Sequence, residues 1–436
     1  MTDATTDGTA RRRSRLEIRR ATLSNGIAVL VSENRSHPTV VLRLSLRAGS
    51  ILDDVERAGL ATLTASGLTR GTQSRSFAEI NETIDSAGMS LGASAGRHVA
   101  GVSARCLRED LDLAIELVAD VLRHPVFPEA EIEQLRAQVL TGLRQADDDT
   151  GSVADRTFRE HVYAEGHPYR LRSHGYQQTV DRLRASDLGA FHADNYGPAG
   201  AYLVVAGDVA FDDLIARLEA ALGDWNGRQV RGVDGAVPES PPPVPGLFEV
   251  ALAGKTQSDL VLGRPAIRRS DPDYHALRMA NLIFGRLGMM GRLGDTVREE
   301  KGLAYSVYSE LDAGVGAGPW AVRAGVNPAN VDAAFRGIQE ELERLRAGGV
   351  TAAELERGQR YSTGTLVLQL ETNDGVAGVI QDIEFFGLGL DYIDRYPGIV
   401  EGLTLDSVNA AAARHLPPYE ETVRVVAGPA RDGAAG

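Results

Sequence analysis

One stretch of the chain argues against a single continuous core. Residues 227–246 read GRQVRGVDGAVPESPPPVPG, dense in Gly and Pro and without an apolar period, the composition of a linker. It divides the 436 residues into near-equal parts, 15–226 and 247–430, each the size of an ordinary domain. The first part opens with strand patterns at Ala21–Ser32 and Thr39–Ala48 and closes on a small apolar strand, Ala201–Gly207. The second opens with Leu247–Ala253 and Ser258–Arg264 and closes on Thr422–Gly428. Between them, Leu111–Leu122 and Glu129–Arg144 carry apolar residues at helical spacing, the latter following Pro128. Ala333–Ala347 and Ala352–Gln369 stand at the corresponding places of the second part. Strands at both ends with helices between them predict an α+β architecture used twice.

Charge and composition then remove several function classes. A formal net charge of −14, with both signs scattered, offers no basic footprint for nucleic acid. Cys106 is the sole cysteine, so neither an internal disulfide nor a thiolate zinc site can form, and the chain suits a reducing, cytoplasmic setting. No apolar run is long enough to span a bilayer. The polar residues 1–14 contain Arg11, Arg12 and Arg13 with no apolar segment after them, and are expected to form a disordered tail.

The chemistry-bearing signal begins at Arg57. The segment Arg57–Thr72 resembles the signature helix of the M16 (pitrilysin/insulinase, mitochondrial-processing-peptidase-like) zinc metallopeptidases, which reads G-L-A-H-x-x-E-H, then an apolar stretch, then G-T. Gly59, Leu60, Ala61, Gly71 and Thr72 match in register. The resemblance continues in order through His167-Pro168-Tyr169, Asn195-Tyr196, Gly207-Asp208-Val209, Lys255–Ser258, Arg292-Leu293, Arg298-Glu299, Gly302–Val307 and Phe386-Gly387. It therefore covers nearly the whole chain. It implies two homologous domains, each a mainly antiparallel sheet packed against helices, the LuxS/MPP-like metallohydrolase fold.

In such a motif two histidines four apart on one helical face bind zinc, and the glutamate beside them takes a proton from the bound water. Here the histidine positions hold Thr62 and Ser66, and the base position holds Ala65. A distal glutamate ligand should fall near Gly142, yet no glutamate occurs between Glu133 and Glu160. All the zinc functions are missing while the flanking glycines stay in frame, so this chain is expected to bind no metal. The resemblance implies that zinc belongs to a partner chain with an intact H-x-x-E-H.

What the resemblance leaves to this chain is substrate binding. In related two-subunit enzymes an arginine and a tyrosine at the positions of Arg298 and Tyr305 reach the partner's active site and hold the peptide near the scissile bond. Arg298 is expected near the end of a helix over Gly291–Glu300 that Gly302 stops, and Tyr305 at the start of a strand. The plain alternative is a surface arginine and a half-buried strand tyrosine. The run Gly285–Gly291 resembles the glycine-rich loop of mitochondrial relatives only in part, and reads as a loop giving a flexible helix N-terminus.

Other signals are weaker. Gly254-Lys255-Thr256 is no P-loop, because Glu249 stands where a glycine is required. Gly314–Gly318 lacks the dinucleotide spacing. His161, His167 and His174 lie in a stretch that reads as loop and are expected to be surface or structural, and Asp147-Asp148-Asp149 reads as a solvated acidic turn. The expectation is thus a non-catalytic, substrate-binding subunit of a heterodimeric peptidase acting on extended peptides. The competing expectation is a non-enzymatic scaffold or peptide-binding homodimer of the same fold.

Overall fold

The computed structural model describes residues 16–227 and 237–431. The expected tail and much of the linker lie outside the described residues. The first sheet holds β1 (Arg19–Thr22), β2 (Ala28–Glu33), β3 (Thr39–Leu46), β4 (Ser90–Ala95), β5 (Ala100–Leu107) and β6 (Tyr202–Gly207), in the order β1-β2-β6-β3-β5-β4. The second holds β7 (Gly246–Ala251), β8 (Ser258–Pro265), β9 (Ala304–Leu311), β10 (Pro319–Val326) and β11 (Val423–Gly428), in the order β7-β11-β8-β10-β9. Setting β1 aside, the two orders are the same. Each sheet is antiparallel except for one parallel pair, β2 with β6 and β7 with β11. In each half the opening strand and the closing strand thus lie side by side.

Ala21–Ser32 does not form one strand. Leu23 and Ile27 close a turn in which Gly26 takes φ 94°, and the chain reverses into the β1–β2 hairpin. Gly26 supplies the left-handed backbone that the reversal needs, and its amide donates to the Leu23 carbonyl at 2.9 Å.

The central strands are apolar on both faces, and the period of two assigns each face a different cover. Val29, Val31, Leu42, Leu44, Leu203 and Val205 join the first domain's own core. Their neighbours Leu30, Val41, Tyr202, Val204 and Ala206 face the other way. They are covered by Val376, Ala377 and Ile380 of the helix Asn373–Phe386, which belongs to the second half of the chain. The reciprocal holds. Val261, Ala321, Val423 and Val425 of the second sheet are covered by Val153, Ala154, Phe158 and Val162 of the helix Thr150–Val162, from the first half. Each half therefore lends one helix to the other's sheet. Burying a side chain such as Phe158, which has no exposed surface, contributes roughly 1.5–3 kcal/mol, so several such residues bind the halves firmly.

The described end of the linker is also fixed. Val237 is buried against that same layer, His167 donates from Nε2 to the Pro238 carbonyl at 2.9 Å, and the Ser240 hydroxyl accepts from the Ala164 amide.

Candidate functional site

The helix Leu60–Gly67 starts at Gly59 in the left-handed region, φ 99°. A side chain there would meet the His174 carbonyl at 2.8 Å, and one at Gly175 would meet the Ala58 carbonyl at 2.1 Å. The turn Ser173–Gly175 therefore lies directly on the start of the helix. Asp53 caps it, its carboxylate accepting from the Gly59 and Ala61 amides, both at 2.9 Å. Burial pushes that carboxyl up to about 7, and the two amide donors only partly oppose the shift.

Thr62 is nearly buried and donates from Oγ1 to the Ser173 carbonyl at 2.6 Å. Ala65 has no exposed surface, and Ser66 is half-buried. Gly142 lies on the helix Glu129–Asp148, exposed, with open space where a side chain would stand. A hydroxyl already committed to a backbone carbonyl, the neutral hydroxyl of Ser66 and a bare glycine make no zinc donor set, and the Ala65 methyl group is no base. The zinc that the resemblance places at the positions of Thr62, Ser66 and Gly142, with a base at that of Ala65, does not fit the residues here.

The second-domain segment is built differently. After the helix Tyr274–Gly285 the chain reverses through Gly288, Met290 and Gly291, all at positive φ. A side chain on Gly291 would lie 2.5 Å from the Ile283 carbonyl, so the turn is packed tight against the helix rather than flexible. The expected helix over Gly291–Glu300 is a single α turn, Gly291–Leu293, followed by a π-helix, Gly294–Glu300. Gly294 makes this possible, because a side chain there would meet the Met289 carbonyl at 2.1 Å. Gly302, at φ 61°, ends the segment, and β9 follows as an edge strand.

Arg292 and Arg298 then part company. Arg292 is held by Glu354 through two bonds of 2.6 Å and by the Gly349 carbonyl, so it ties helices together. Arg298 keeps 31% of its side chain exposed, pairs among the described residues only with its neighbour Glu299 at 2.7 Å, and touches the exposed Met289 sulfur. Tyr305 is 61% exposed, and its hydroxyl makes no hydrogen bond among the described residues. This is not the half-buried strand tyrosine of the plain alternative. The reason is a break in the ladder: Gly325 pairs with Ser306 but Val326 with Ala304, so Tyr305 is bulged out of the pairing and turns outward, although Val307, two residues on, points into the core.

Comparison with known proteins settles the ancestry. Residues 28–169 match the family model described as Insulinase (Peptidase family M16), and residues 182–361 match the one described as Peptidase M16 inactive domain. The chain belongs to the M16 peptidase family. An uncharacterized zinc protease of Streptomyces coelicolor is 26% identical to it over 406 residues, 91% of this chain and 86% of that protein. A non-peptidase homolog of Helicobacter pylori is 22% identical, covering 93% of each chain. A crystal structure of a peptidase M16 inactive domain from Pseudomonas fluorescens superposes with a TM-score of 0.88 at 26% identity, over 95% of this chain and 98% of that one.

Within this M16 framework His161, His167 and the acidic run Asp147–Asp149 hold the fold together. His161 lies in the helix Thr150–Val162, not in a loop, and bonds the Thr157 carbonyl. His167 accepts at Nδ1 from the Tyr169 amide while Nε2 holds Pro238, which fixes its tautomer. The acidic run is not a solvated turn. Asp147 is gripped by Arg156, Arg172 and Gln177, Asp148 pairs with Lys255 at 2.8 Å, and Asp149 caps the next helix. Burial pushes the Asp147 carboxyl up, but Gln177 and the two guanidiniums outweigh it and hold it below the usual range. Asp271, Asp273 and His415 are the one group of potential metal ligands that converge among the described residues. They sit in the second domain, where Arg414 already neutralises Asp273. No helix among the described residues is long and apolar enough to cross a membrane.

Proposed function

We propose that this chain is the non-catalytic, substrate-binding subunit of a two-chain M16 zinc peptidase, with the partner supplying the zinc, its ligands and the general base. One contrast carries the reading. The helix that would hold zinc is closed onto its own chain, while Arg298 and Tyr305 stand outward beside an edge strand with little to hold them. A guanidinium and a phenol are the donors suited to a peptide carbonyl, and to the oxyanion that forms from it. An extended peptide can pair with the open edge of β9 by strand addition. The Arg298–Glu299 pair is exposed, so exchanging Glu299 for a substrate oxygen costs at most about 1 kcal/mol.

The test uses the purified chain, a partner M16 chain with an intact H-x-x-E-H, and their mixture, with zinc content and peptide cleavage measured in each. The expected outcome is neither zinc nor cleavage from this chain alone and cleavage from the mixture. Stoichiometric zinc and activity in this chain alone refute the reading. An assembled but silent complex would favour the scaffold homodimer or a peptide-binding role.

A further inference from the structure

A cleft of about 280 Å³ opens between the helix Tyr274–Gly285 and the helices Ala352–Gln369, Asn373–Phe386 and Tyr392–Glu401. Two guanidiniums, Arg269 and Arg278, line it, and neither has a carboxylate within 4.0 Å among the described residues. Their recorded side-chain partners are phenols: Arg269 donates to Tyr392 Oη at 3.0 Å, and Arg278 to Tyr396 Oη at 2.9 Å. Arg269 also lies 3.9 Å over the Tyr274 ring. Arginines in a chain this acidic normally find carboxylates, as Arg292 and Arg323 do here. Arg278 is surrounded by protein yet keeps much of its surface accessible, which is the geometry of a cleft wall.

The rest of the lining favours an anion. His275 lies between the two arginines in sequence and faces the same cleft, and burial together with their charge pushes it down to about 4, so it is neutral at pH 7. Asp382 is the one acid in the lining; burial pushes its carboxyl up against the opposing charge of Arg269, and one carboxyl against two guanidiniums leaves the cleft net positive. The remaining wall includes Leu282, Ile383 and Leu403, which suit an apolar body.

We propose that this cleft binds a compact oxyanion carried on an apolar body: the carboxyl terminus of a short peptide, or a phosphate ester. Arg269 and Arg278 clamp the oxyanion, each pre-aimed by its tyrosine, and the leucine and isoleucine side chains take the apolar part. The cleft lies within one chain, so this site goes beyond the two-chain reading and stands whether or not a partner exists.

The experiment is calorimetry on the full chain with N-acetylphenylalanine, its uncharged amide, phenyl phosphate and inorganic phosphate, joined to an NMR titration of the His275 ring. The expected result is that at least one apolar oxyanion binds ten or more times tighter than the amide. Arg278→Gln lowers that affinity at least tenfold, and the bound oxyanion raises the His275 titration midpoint by one unit or more in the wild-type chain. N-acetylphenylalanine outranking phenyl phosphate names a peptide terminus as the source, and the reverse order names a phosphate ester. Equal binding of acid and amide, binding of neither oxyanion, or an unmoved His275 overturns the proposal. The His275 readout needs no mutation, so a misfolded Arg278 variant cannot obscure the answer.

Discussion

The helix Leu60–Gly67 and the segment Gly291–Leu311 are the two parts of the chain that most resemble peptidase machinery, and they have opposite characters. In the first, Thr62 is turned onto Ser173, Ala65 is sealed, and Asp53 is occupied as a cap. In the second, a turn of positive-φ residues and a π-helix hold Arg298 and Tyr305 outward. At the motif positions of the first, ordinary packing holds the side chains in place. Where polar groups stand unsheltered on a stiff support, packing does not account for them.

The largest expected effect would come from restoring the base. Ala65→Glu places a carboxylate in a site with no exposed surface, and should cost about 3–5 kcal/mol of stability in urea unfolding. A tolerated glutamate would show that the helix still opens on a polar space, and the contrast would break. Next comes pH, where the two regions should respond with opposite sign. The folded Asp53 carboxyl titrates at about 7, above its unfolded value, so the stability it contributes is complete below about pH 4 and is lost as pH rises through 7. In the second domain burial pushes Glu354 up, but Arg292 and Thr351 override it and bring it down to about 2. Its contribution is present above its unfolded value and is lost as pH falls toward 2. Asp53→Asn should flatten the neutral-side slope alone, and Glu354→Gln the acid-side slope alone. A shared change would mean that the regions are not independent.

Gly291→Ala tests the stiffness of the support. The methyl group meets the Ile283 carbonyl in a left-handed backbone, and about 2 kcal/mol should be lost. A stability unchanged within error would return that loop to the flexible class. The smallest effect is kinetic. Arg298→Ala should lower kcat/KM of the assembled two-chain enzyme by about tenfold, roughly 1.4 kcal/mol, with assembly and melting unchanged. An unchanged kcat/KM would leave Arg298 a surface residue like any other.

The sequence made the order of elements legible because alternation and helical spacing are local. Ala352–Gln369 falls on its expected bounds, Leu111–Leu122 extends by one residue to Arg123, and Glu129–Arg144 by four to Asp148. The residues at the motif positions, Thr62, Ala65, Ser66 and Gly142, are read directly from the sequence, since they concern residue types. Two things are not. The helix Thr150–Val162 shows an apolar stripe, but nothing in the stripe says which sheet it meets. The exposure of Tyr305 depends on a bulge in the pairing of β9 with β10, and alternation along the sequence, which would put Tyr305 on the face of Val307, does not reveal it. Arg269 and Arg278 carry no motif at all, and only the fold brings them to one cleft.

The reciprocal loan of helices bears on how such a molecule arose and how it can be divided. Two copies of one ancestral domain, each inserting its fourth long helix into the other, form a swapped dimer, and a linker between them yields one chain with this arrangement. Made separately, residues 1–227 and 237–436 would each expose an uncovered sheet face and an orphan apolar helix, and neither should persist alone. Made together, each fragment carries the missing wedge of the other, and the pair should reassemble without any covalent bond between them.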